Sequence, residues 1–475
     1  MTIWAPRIED FPGPRYQAIA EAIALAIREG ELKAGDRLPP VRDLAYRLGL
    51  TVGTVNRGYM LAEARGQVSG EVGRGTYVRE QPRPMMKFPD PPDGEGDNLL
   101  DMGDAALNLT RNVPVGEQIS DAVIATLHKV AESCARERAL PHSFLSYGEP
   151  AGTLRYRAAG AHWLRRTGIE VPPERVVVTG GAQQALAAAL GALAAPGERI
   201  LCERLTYAGL LHAARLYHLQ PEGLPMDEEG LLPESLEAAC REGGVRILCL
   251  VPTMQNPTTS IMGLARRRKI VEIARRHELI IIEDDVYGIL PTDRPPPIAT
   301  LAPERTIHVA SASKCLTPGM RMGWLAAPAV HVERLIDAMY AMSIALPTLP
   351  LEMITRWIED GTAEKLIAMQ REECAARHEI AARHLQGLEY RSHPHCFHVW
   401  LQLPEPWRAQ EFVQAAARRG ILLLAAGHFA VGRAPAPHAV RISIGAAPSR
   451  ERLAQALRDV AELAGSGTGV RRGII

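Results

Sequence analysis

The residues that organise this chain run Ser311-Ala312-Ser313-Lys314-Cys315-Leu316-Thr317-Pro318-Gly319-Met320-Arg321-Met322-Gly323. An apolar run from Ile307 to Ala310 precedes them and predicts a buried strand. The turn that follows carries two serine hydroxyls, a lysine amine and an arginine guanidinium within eleven positions. We therefore expect a buried strand that ends in a chemically active turn.

The chemistry of this turn has two interpretations. A lysine amine attacks an aldehyde when its neighbours lower its pKa, and hydroxyls and a guanidinium bind a phosphate monoester through charge-assisted hydrogen bonds. In the first interpretation, Lys314 forms a Schiff base with pyridoxal phosphate. The phosphate is then held by Ser311, Ser313 and Arg321. In the second, the turn is exposed and its lysine is solvated, and these residues alone do not decide between the two.

The composition limits what the protein can be. A length of 475 residues predicts roughly three domains. The 54 basic and 54 acidic residues cancel, so no overall charge favours nucleic acid, a membrane or acidic substrates. The seven cysteines form no CxxC pair, which favours reduced thiols. We expect a cytoplasmic protein with no membrane partner, because no apolar run reaches about 18 residues and no signal segment opens the chain.

The first 80 residues predict three helices and a hairpin. Apolar residues recur at helical spacing from Tyr16 to Arg28, and Gly30 ends that helix. A second helix begins near Pro40 and ends at Gly49, since proline is tolerated at a helix start. A third helix runs to about Ala64. Two helices joined by a tight turn form a helix-turn-helix, and residues 67–78 add a small hairpin, or wing.

This N-terminal pattern resembles the winged helix-turn-helix of the GntR superfamily over residues 14–79. The matching segments are Gly35-Asp36-Arg37-Leu38-Pro39-Pro40-Val41-Arg42-Asp43-Leu44-Ala45, Thr54-Val55 and Gly73-Arg74-Gly75-Thr76-Tyr77-Val78. The resemblance implies binding to a double-stranded DNA operator. Guanidinium groups suit phosphates and the minor groove, and small polar groups suit base edges, which predicts DNA contacts by Arg42, Arg57, Arg74, Thr51, Gly53, Thr54 and Asn56. The alternative is a small helical accessory domain with a hairpin.

Two further features concern this N-terminal region. Residues 1–80 carry eleven basic and ten acidic side chains, so non-specific DNA affinity should be modest. Residues 80–98 are rich in proline and charge without periodicity, which predicts a linker.

From residue 99 onward, strand and helix patterns alternate in α/β fashion. Several apolar strands end in polar groups, and the carboxyl ends of parallel strands are where ligands bind in open α/β sheets. The predicted strand from Val176 to Thr179 is followed by Gly180-Gly181 and then by a helix. The free N–H groups at the start of that helix favour binding of an anion. The run Leu279 to Ile282 ends at Glu283-Asp284-Asp285, where a buried carboxylate needs a cation such as a protonated pyridine nitrogen.

Residues 99–465 resemble the fold-type-I aminotransferases, with the aspartate aminotransferase-like fold. The resemblance implies a large parallel-sheet domain over about 140–345 and a small α+β domain over about 346–465. It places pyridoxal 5'-phosphate on Lys314 and Asp284 on the ring nitrogen. It places Asn256 and Tyr287 on the ring hydroxyl and Tyr207 on the ring face.

The same resemblance assigns the remaining site residues. It implies that Arg441 binds an α-carboxylate and that Lys314, Asp284 and Tyr287 act catalytically. The phosphate would be held by Gly181, Ala182, Gln183, Ser311, Ser313 and Arg321, with Tyr147 supplied by the partner subunit of a homodimer. The sequence departs from the family pattern at Thr259, where aminotransferases usually carry glycine.

A GntR-type DNA-binding domain, called the reader below, is joined through a linker to an aminotransferase-like domain. This combination resembles the MocR subfamily of bacterial transcriptional regulators. This resemblance implies a homodimer that senses an amine, an amino acid or pyridoxal phosphate through Lys314 and changes its affinity for DNA. The second hypothesis is a working aminotransferase acting on an amino acid and a 2-oxo acid. No metal site is expected.

Overall fold

A computed structural model of the chain describes residues 13–33, 35–65, 67–71, 75–78, 106–115, 119–137, 139–432 and 434–466, together with Trp4, Pro6, Ile8 and Phe11. The chain divides into two compact units, Met1–Met102 and Gly103–Ile475. The linker predicted over residues 80–98 lies outside the described residues.

The N-terminal unit contains the helices and hairpin that the sequence predicts. Its elements are α1 Arg15–Glu29, α2 Val41–Leu48, α3 Val52–Ala64, β1 Val68–Glu71 and β2 Gly75–Val78. The two strands pair antiparallel, with Val68 opposite Val78. Gly30 and Gly49 end α1 and α2 in left-handed conformations, φ 79° and 62°, which glycine adopts without steric cost.

A small apolar core holds the N-terminal unit together. Ile19 and Ile23 on α1 are fully buried, as are Val55 and Ala62 on α3. A side chain at Gly58 would approach Ile19 to 2.8 Å, so the glycine allows α1 and α3 to pack closely. The helix-turn-helix is therefore a folded unit with its own core.

The C-terminal unit alternates strands and helices. Its strands are β3 Leu107–Asn108, β4 Val176–Thr179, β5 Arg199–Glu203, β6 Gln220–Leu224, β7 Met226–Asp227, β8 Gly230–Leu231, β9 Val245–Leu250, β10 Ile280–Asp284, β11 Thr306–Ser311, β12 Gly323–Ala326, β13 Tyr390–Arg391, β14 Val399–Gln402, β15 Ile421–Leu422, β16 Leu424–Ala425 and β17 Ala439–Ile442. Its helices are α4 Ile119–Arg136, α5 Ala139–Leu145, α6 Leu154–Arg165, α7 Ala182–Leu193, α8 Ala208–Leu216, α9 Pro233–Glu242, α10 Leu264–Arg276, α11 Ile298–Leu301, α12 Ala329–Met342, α13 Thr348–Glu359, α14 Thr362–His384, α15 Ala409–Arg418 and α16 Arg450–Gly465.

A seven-stranded sheet forms the centre of this unit, in the order β4-β12-β11-β10-β9-β5-β6. All neighbours pair parallel except β12, which runs antiparallel to both β11 and β4. Every residue of β11 is buried, as expected for a strand covered on both faces. The parallel strands deliver their carboxyl ends to one edge of the sheet.

A second sheet lies toward the C-terminus, in the order β13-β14-β17-β16, and all its pairs are antiparallel. Separately, β3 pairs parallel with β15 and so joins the start of the unit to its C-terminal part. This pairing matters because residues 109–115, which follow β3, run into the candidate site.

The predicted strand positions agree with the structure to within a few residues. The run predicted from Leu279 to Ile282 is β10, which begins at Ile280 and ends at Asp284. Among the described helices, none is both long enough and apolar enough to cross a membrane.

Candidate functional site

The candidate site lies where the strands of the large sheet end. Asp284 is the last residue of β10, and Lys314 lies in a short 3-10 turn directly after β11. Asn256 follows β9, and Tyr207 follows β5 as the residue before α8. Because these strands are parallel neighbours, residues that are far apart in sequence meet at one edge of the sheet.

The amine of Lys314 is held inside this site. Its Nζ atom donates to the main-chain carbonyl of Asn112 at 2.5 Å. The side chain is half-buried, and loss of hydration followed by the positive charge of Arg441 lowers the pKa of Lys314 to about 8. A lysine with this pKa is a better nucleophile near neutral pH than a solvated lysine. The solvated-lysine alternative therefore does not fit the structure.

Asp284 differs from the two carboxylates beside it. Glu283 accepts from the main-chain N–H groups of Ile298 and Ala299 at 2.7 and 2.9 Å, and Asp285 pairs with Arg294 at 2.7 Å. Asp284 receives a single long bond of 3.4 Å from the main-chain N–H of Val286. Within the described ranges, no basic side chain forms an ion pair with it.

Burial consequently raises the pKa of Asp284 to about 7. A buried carboxylate without a cationic partner is costly, so this position favours a cationic group on a ligand. A protonated pyridine nitrogen has the required charge.

Arg441 lies in β17 and is buried. It donates through Nη1 to Oδ1 of Asn256 at 2.9 Å and through Nη2 to the carbonyl of Thr110 at 2.5 Å. Its guanidinium carbon lies 4.9 Å from the ring centre of Phe429, while its Nε has no hydrogen-bond partner in the described chain. A buried, planar cation with an unused donor suits recognition of a carboxylate.

Two tyrosines border the site. Tyr287 is buried, and its hydroxyl accepts from Nδ2 of Asn112 at 2.8 Å. Tyr207 is half-buried, and burial, followed by the negative charge of Asp284, raises the pKa of its hydroxyl. The charges of Arg321 and Arg441 act on Tyr207 as well, so residues from separate parts of the chain surround this hydroxyl.

The N-terminus of α7 forms an anion cradle together with Arg321. Gly181 precedes α7 with φ 97°, and a side chain there would approach the guanidinium of Arg321 to 2.9 Å. A guanidinium and a helix N-terminus are both positive, so their close approach favours an anion shared between them. The first N–H groups of α7, including those of Ala182 and Gln183, have no partner within the helix.

The other residues expected at the phosphate differ in their contacts. Ser313 Oγ is buried with no partner among the described residues, and so is Oε1 of Gln183, whose Nε2 donates to the carbonyl of Gly209. Ser311 instead donates its hydroxyl to the carbonyl of Met322 at 3.0 Å and accepts from the N–H of Ser313. Ser311 would have to exchange the bond to Met322 before it could donate to a phosphate.

Two more residues of the expected site have distinct positions. Tyr147 lies in the loop after α5 and is 83% exposed within the single chain. Thr259 has φ 63°, a left-handed conformation that is strained for a β-branched residue. The turn after Asn256 therefore keeps the backbone conformation that suits glycine, although it carries threonine.

Three functional candidates were missed by the sequence argument. Asn112 contacts both Lys314 and Tyr287, and His398 contacts Asn112. Glu203, at the end of β5, is fully buried, and burial raises its pKa to about 8. His398 had a signal, since it interrupts the apolar run 396–401. Asn112 had none, because only the tertiary fold brings it to the lysine.

The residues present fit pyridoxal phosphate. Asp284 offers a negative charge without a partner, Lys314 offers an amine of lowered pKa, and Ser313 and Gln183 hold unpartnered polar atoms beside the cradle of Gly181. Each of these features corresponds to one part of the cofactor: ring nitrogen, aldehyde and phosphate. No group of acidic, histidine or cysteine side chains in the described ranges could hold a metal ion.

The N-terminal unit presents most of its predicted DNA contacts on its surface. Arg42, Thr51, Gly53 and Asn56 are exposed and Thr54 is half-buried, while Arg74 lies outside the described residues. Thr51 begins α3, and its hydroxyl accepts from the N–H of Thr54 at 3.2 Å. Thr51 thus caps the helix, a role that the sequence argument did not assign.

Arg57 is also bound within the unit. Its guanidinium carbon lies 4.5 Å from the ring centre of Tyr16 on α1. A cation held over an aromatic ring keeps its outer N–H groups available, so this contact orients Arg57 without neutralising it.

Comparison with known proteins agrees with both halves of the fold. Residues 105–460 match the family of class I and II aminotransferases, and residues 15–78 match the gntR family of bacterial regulatory proteins. The chain is 32% identical over 454 residues to YdeF, an uncharacterized HTH-type transcriptional regulator of Bacillus subtilis (strain 168), covering 96% of this chain and 95% of the relative. It is 28% identical over 436 residues to YdcR, an uncharacterized HTH-type transcriptional regulator of Escherichia coli (strain K12), covering 88% and 92%.

Solved structures extend this likeness to the fold. LysN, the alpha-aminoadipate aminotransferase of Thermus thermophilus complexed with N-(5'-phosphopyridoxyl)-L-leucine, superposes with a TM-score of 0.69 at 25% identity. The match covers 78% of this chain and 94% of LysN. The predicted fold class is therefore confirmed. The chain belongs to the class I and II aminotransferase family and, with its N-terminal gntR-family domain, has the architecture of the MocR-type transcriptional regulators.

Proposed function

We propose that this protein is a pyridoxal-phosphate-dependent transcriptional regulator whose affinity for DNA responds to an amine, an amino acid or pyridoxal phosphate itself. One observation carries the proposal: a gntR-family reader and a site in which Lys314, Asp284 and Arg441 converge belong to the same chain. A metabolic enzyme has no use for a DNA reader. A regulator uses both units.

The site residues have separate tasks in this proposal. When bound, pyridoxal phosphate supplies an aldehyde that captures amines and a ring that withdraws electrons. Lys314 would bind the aldehyde and would afterwards hold a proton on Nζ. Asp284 would keep the ring nitrogen protonated, Asn256 and Tyr287 would bind the ring hydroxyl, and Tyr207 would lie against the ring face.

Arg441 would recognise the α-carboxylate of an amino acid. Its guanidinium donates to Asn256 and to the carbonyl of Thr110, so an incoming carboxylate would replace the carbonyl of Thr110. The amine of Lys314 donates a hydrogen bond to the carbonyl of Asn112, which lies two residues after Thr110. Both ends of an amino acid would therefore act on the same short segment, which follows β3.

A homodimer is part of the proposal. Large apolar side chains are exposed on two neighbouring segments: Leu145 is 87% exposed and Leu349 is 39% exposed. A side chain at Gly148 would touch the hydroxyl of Thr348, so the two segments adjoin. Apolar surface of this kind favours association, and a two-fold dimer would bring the partner subunit's Tyr147 to the phosphate and present two readers to paired half-sites.

The proposed domain limits follow the sequence: a reader over residues 1–79, a linker over 80–98 and a cofactor-binding region over 99–465. Such an arrangement suits the cytoplasm, where both bacterial DNA and amino acids are available. Effector binding would alter the cofactor-binding region, and the linker would pass this change to the reader.

The second candidate function is transamination between an amino acid and a 2-oxo acid. The presence of Lys314, Asp284 and Arg441 together supports it, since these are the groups that such chemistry requires. A slow half-reaction with an amino acid is compatible with a regulator as well.

Genome-wide mapping of bound DNA tests the proposal, with and without a supply of pyridoxal phosphate in the cell. We expect discrete sites whose occupancy changes with the supply in the wild-type protein and does not change in Lys314→Ala. If no discrete sites are found and the purified protein turns over repeatedly with an amino donor and a keto acid, the second function is correct instead.

A further inference from the structure

A chain of three hydrogen bonds runs beside the candidate cofactor site. Nε2 of His398 lies 3.1 Å from the carbonyl oxygen of Pro257, and Nδ1 of His398 lies 2.9 Å from Nδ2 of Asn112. Nδ2 of Asn112 in turn lies 2.8 Å from the hydroxyl of Tyr287. All of these side chains are buried, so water does not compete for the bonds.

The direction of the chain follows from its first member. A carbonyl oxygen accepts and never donates, so the carbonyl of Pro257 requires a proton on Nε2 of His398. Burial and the charge of Arg441 lower the pKa of His398 well below its usual value, which keeps the ring neutral. A neutral ring protonated at Nε2 has an acceptor at Nδ1. The thiol of Cys396, 3.3 Å from Nδ1, can donate to the same acceptor.

The amide of Asn112 therefore has one allowed orientation. Because Nδ1 of His398 accepts, the Asn112 atom facing it must be the NH2 group, whose second hydrogen then points to the hydroxyl oxygen of Tyr287. The opposite orientation of the amide would place its oxygen against an acceptor. Tyr287 thus accepts from Asn112, and its own O–H hydrogen remains free to donate elsewhere.

We propose that Asn112 and His398 are positioning residues that set the direction of the Tyr287 hydrogen bond, so that the Tyr287 hydroxyl donates to the ring hydroxyl of the cofactor. This inference rests on the proposed binding of pyridoxal phosphate. Neither residue touches the reacting atoms through its side chain in this role. Each acts through Tyr287, and Pro257 aligns the chain from its far end.

The expected consequence is spectroscopic. A donor to the ring oxygen stabilises the form of the bound chromophore in which that oxygen is anionic and the linkage to Lys314 is unprotonated. Loss of the donor should therefore raise the apparent pKa at which the visible band changes. A neutral hydrogen bond of ordinary strength corresponds to roughly 0.5 to 1 pH unit.

The experiment is an absorbance titration of the full-length protein loaded with pyridoxal phosphate. Asn112→Asp keeps the shape of the side chain but leaves only acceptors, so it should draw the proton of Tyr287 away from the ring. His398→Leu removes the acceptor that orients Asn112, whereas His398→Asn retains an acceptor near the position of Nδ1. We expect upward shifts for Asn112→Asp and His398→Leu and a titration near that of the wild type for His398→Asn.

A double-mutant cycle separates the effect of the hydrogen-bond direction from the effect of the added charge. Asn112→Asp also adds a negative charge, which would raise the apparent pKa on its own. If Asn112 acts through Tyr287, its shift should fall in a Tyr287→Phe background to the part that the added charge alone produces. The charged side chains of Arg441 and Asp284, which also act on Tyr287, and the neighbouring Tyr207 and Cys396 are unchanged throughout the cycle.

Three outcomes would overturn the inference. The first is a shift from Asn112→Asp that is equally large with and without the Tyr287 hydroxyl. The second is the absence of a shift in all of these variants although the wild-type band titrates normally. The third concerns the cofactor-free wild-type protein, in which nitrogen NMR should show His398 protonated at Nε2, and protonation at Nδ1 would contradict the proposed hydrogen bonds. A wild-type protein that forms no visible band would instead overturn the proposed function as well.

Discussion

Arg441 donates through Nη1 to Oδ1 of Asn256 at 2.9 Å, although 185 positions separate them. This bond joins the small antiparallel sheet to the loop after β9 of the large sheet. Because the oxygen of Asn256 accepts from Arg441, its NH2 group is the part that would bind the ring hydroxyl of the cofactor in the proposed function. The bond would then couple recognition of a carboxylate to binding of the ring.

Replacing the proposed Schiff-base lysine should abolish the visible absorbance that pyridoxal phosphate produces. Lys314→Ala removes the amine, whereas the fold should remain because the side chain is only half-buried. Absorbance after addition of the cofactor is the measurement, with circular dichroism as the check on folding. The matched control is Lys365→Ala, an exposed lysine on α14, and a normal spectrum in Lys314→Ala would refute the assignment.

Capture of pyridoxal phosphate should speed up as the pH rises through about 8. The amine must be neutral to attack, and burial lowers the pKa of Lys314 from 10.5 to about 8. At pH 7 about a tenth of the amine is then neutral, against roughly three in ten thousand for a solvated lysine. Stopped-flow absorbance would measure the rate. Pyridoxamine phosphate has no aldehyde, so its binding rate should not change with pH around 8. If the rate for pyridoxal phosphate instead rises with a midpoint near pH 10, Lys314 is a solvated lysine.

Removing the guanidinium of Arg441 should weaken the binding of amino acids and leave the binding of simple amines unchanged. A buried charge-assisted pair is worth several kcal/mol, so Arg441→Met should lower the affinity for an amino acid by about 100-fold. The corresponding decarboxylated amine should change little. Spectral titration of the loaded protein measures both, with Arg418→Met as an exposed control. Equal losses for both ligands would mean that Arg441 supports the cofactor rather than the carboxylate.

Arg42 should contribute to DNA binding without reading sequence. It is exposed near the start of α2, where a guanidinium can reach a phosphate. Arg42→Ala should weaken binding similarly for all sequences and reduce the salt slope by about one. Fluorescence anisotropy at several salt concentrations is the test, and Arg418→Ala should have no effect. A loss confined to one base position would indicate base readout instead.

Thr51 should matter for stability before it matters for DNA. Its hydroxyl caps α3 by accepting from the N–H of Thr54, so Thr51→Ala should lower the free energy of unfolding of the N-terminal unit by about 1 kcal/mol. Thr51→Ser keeps the cap and should be near neutral. Thermal unfolding compares the two. Were Thr51→Ala as stable as the wild type yet weaker on DNA, the threonine would act at the interface alone.

Local patterns explain how much of the fold could be predicted. Continuous apolar runs predicted the central strands, because strands buried on both faces need apolar residues at every position. The start of α2 after Pro40 and the ends of α1 and α2 at glycine follow from backbone preferences of single residues. The resemblance to two families then supplied the order of the site residues.

The contacts inside the site could not be predicted in the same way. Ser311 illustrates the difference: its hydroxyl suggests a phosphate ligand, but the fold brings the carbonyl of Met322 within 3.0 Å and uses the hydroxyl there. Thr51 similarly caps a helix that a motif match treats as a DNA-reading surface. The hydrogen-bond partner of a polar side chain depends on which groups the fold places beside it, and a sequence motif does not specify those groups.

The amino-acid sequence by itself determined the two units, their secondary structure and the residues at the strand ends, because these follow from periodicity and backbone preference over a few positions. Only the tertiary structure decided that Asn112 meets Lys314 and Tyr287, and that Arg441 meets Asn256. The physical reason is that a buried hydrogen bond is specified by distance and direction between atoms. Those quantities exist only after the pairing of β3 with β15 and the packing of both sheets have brought distant segments together.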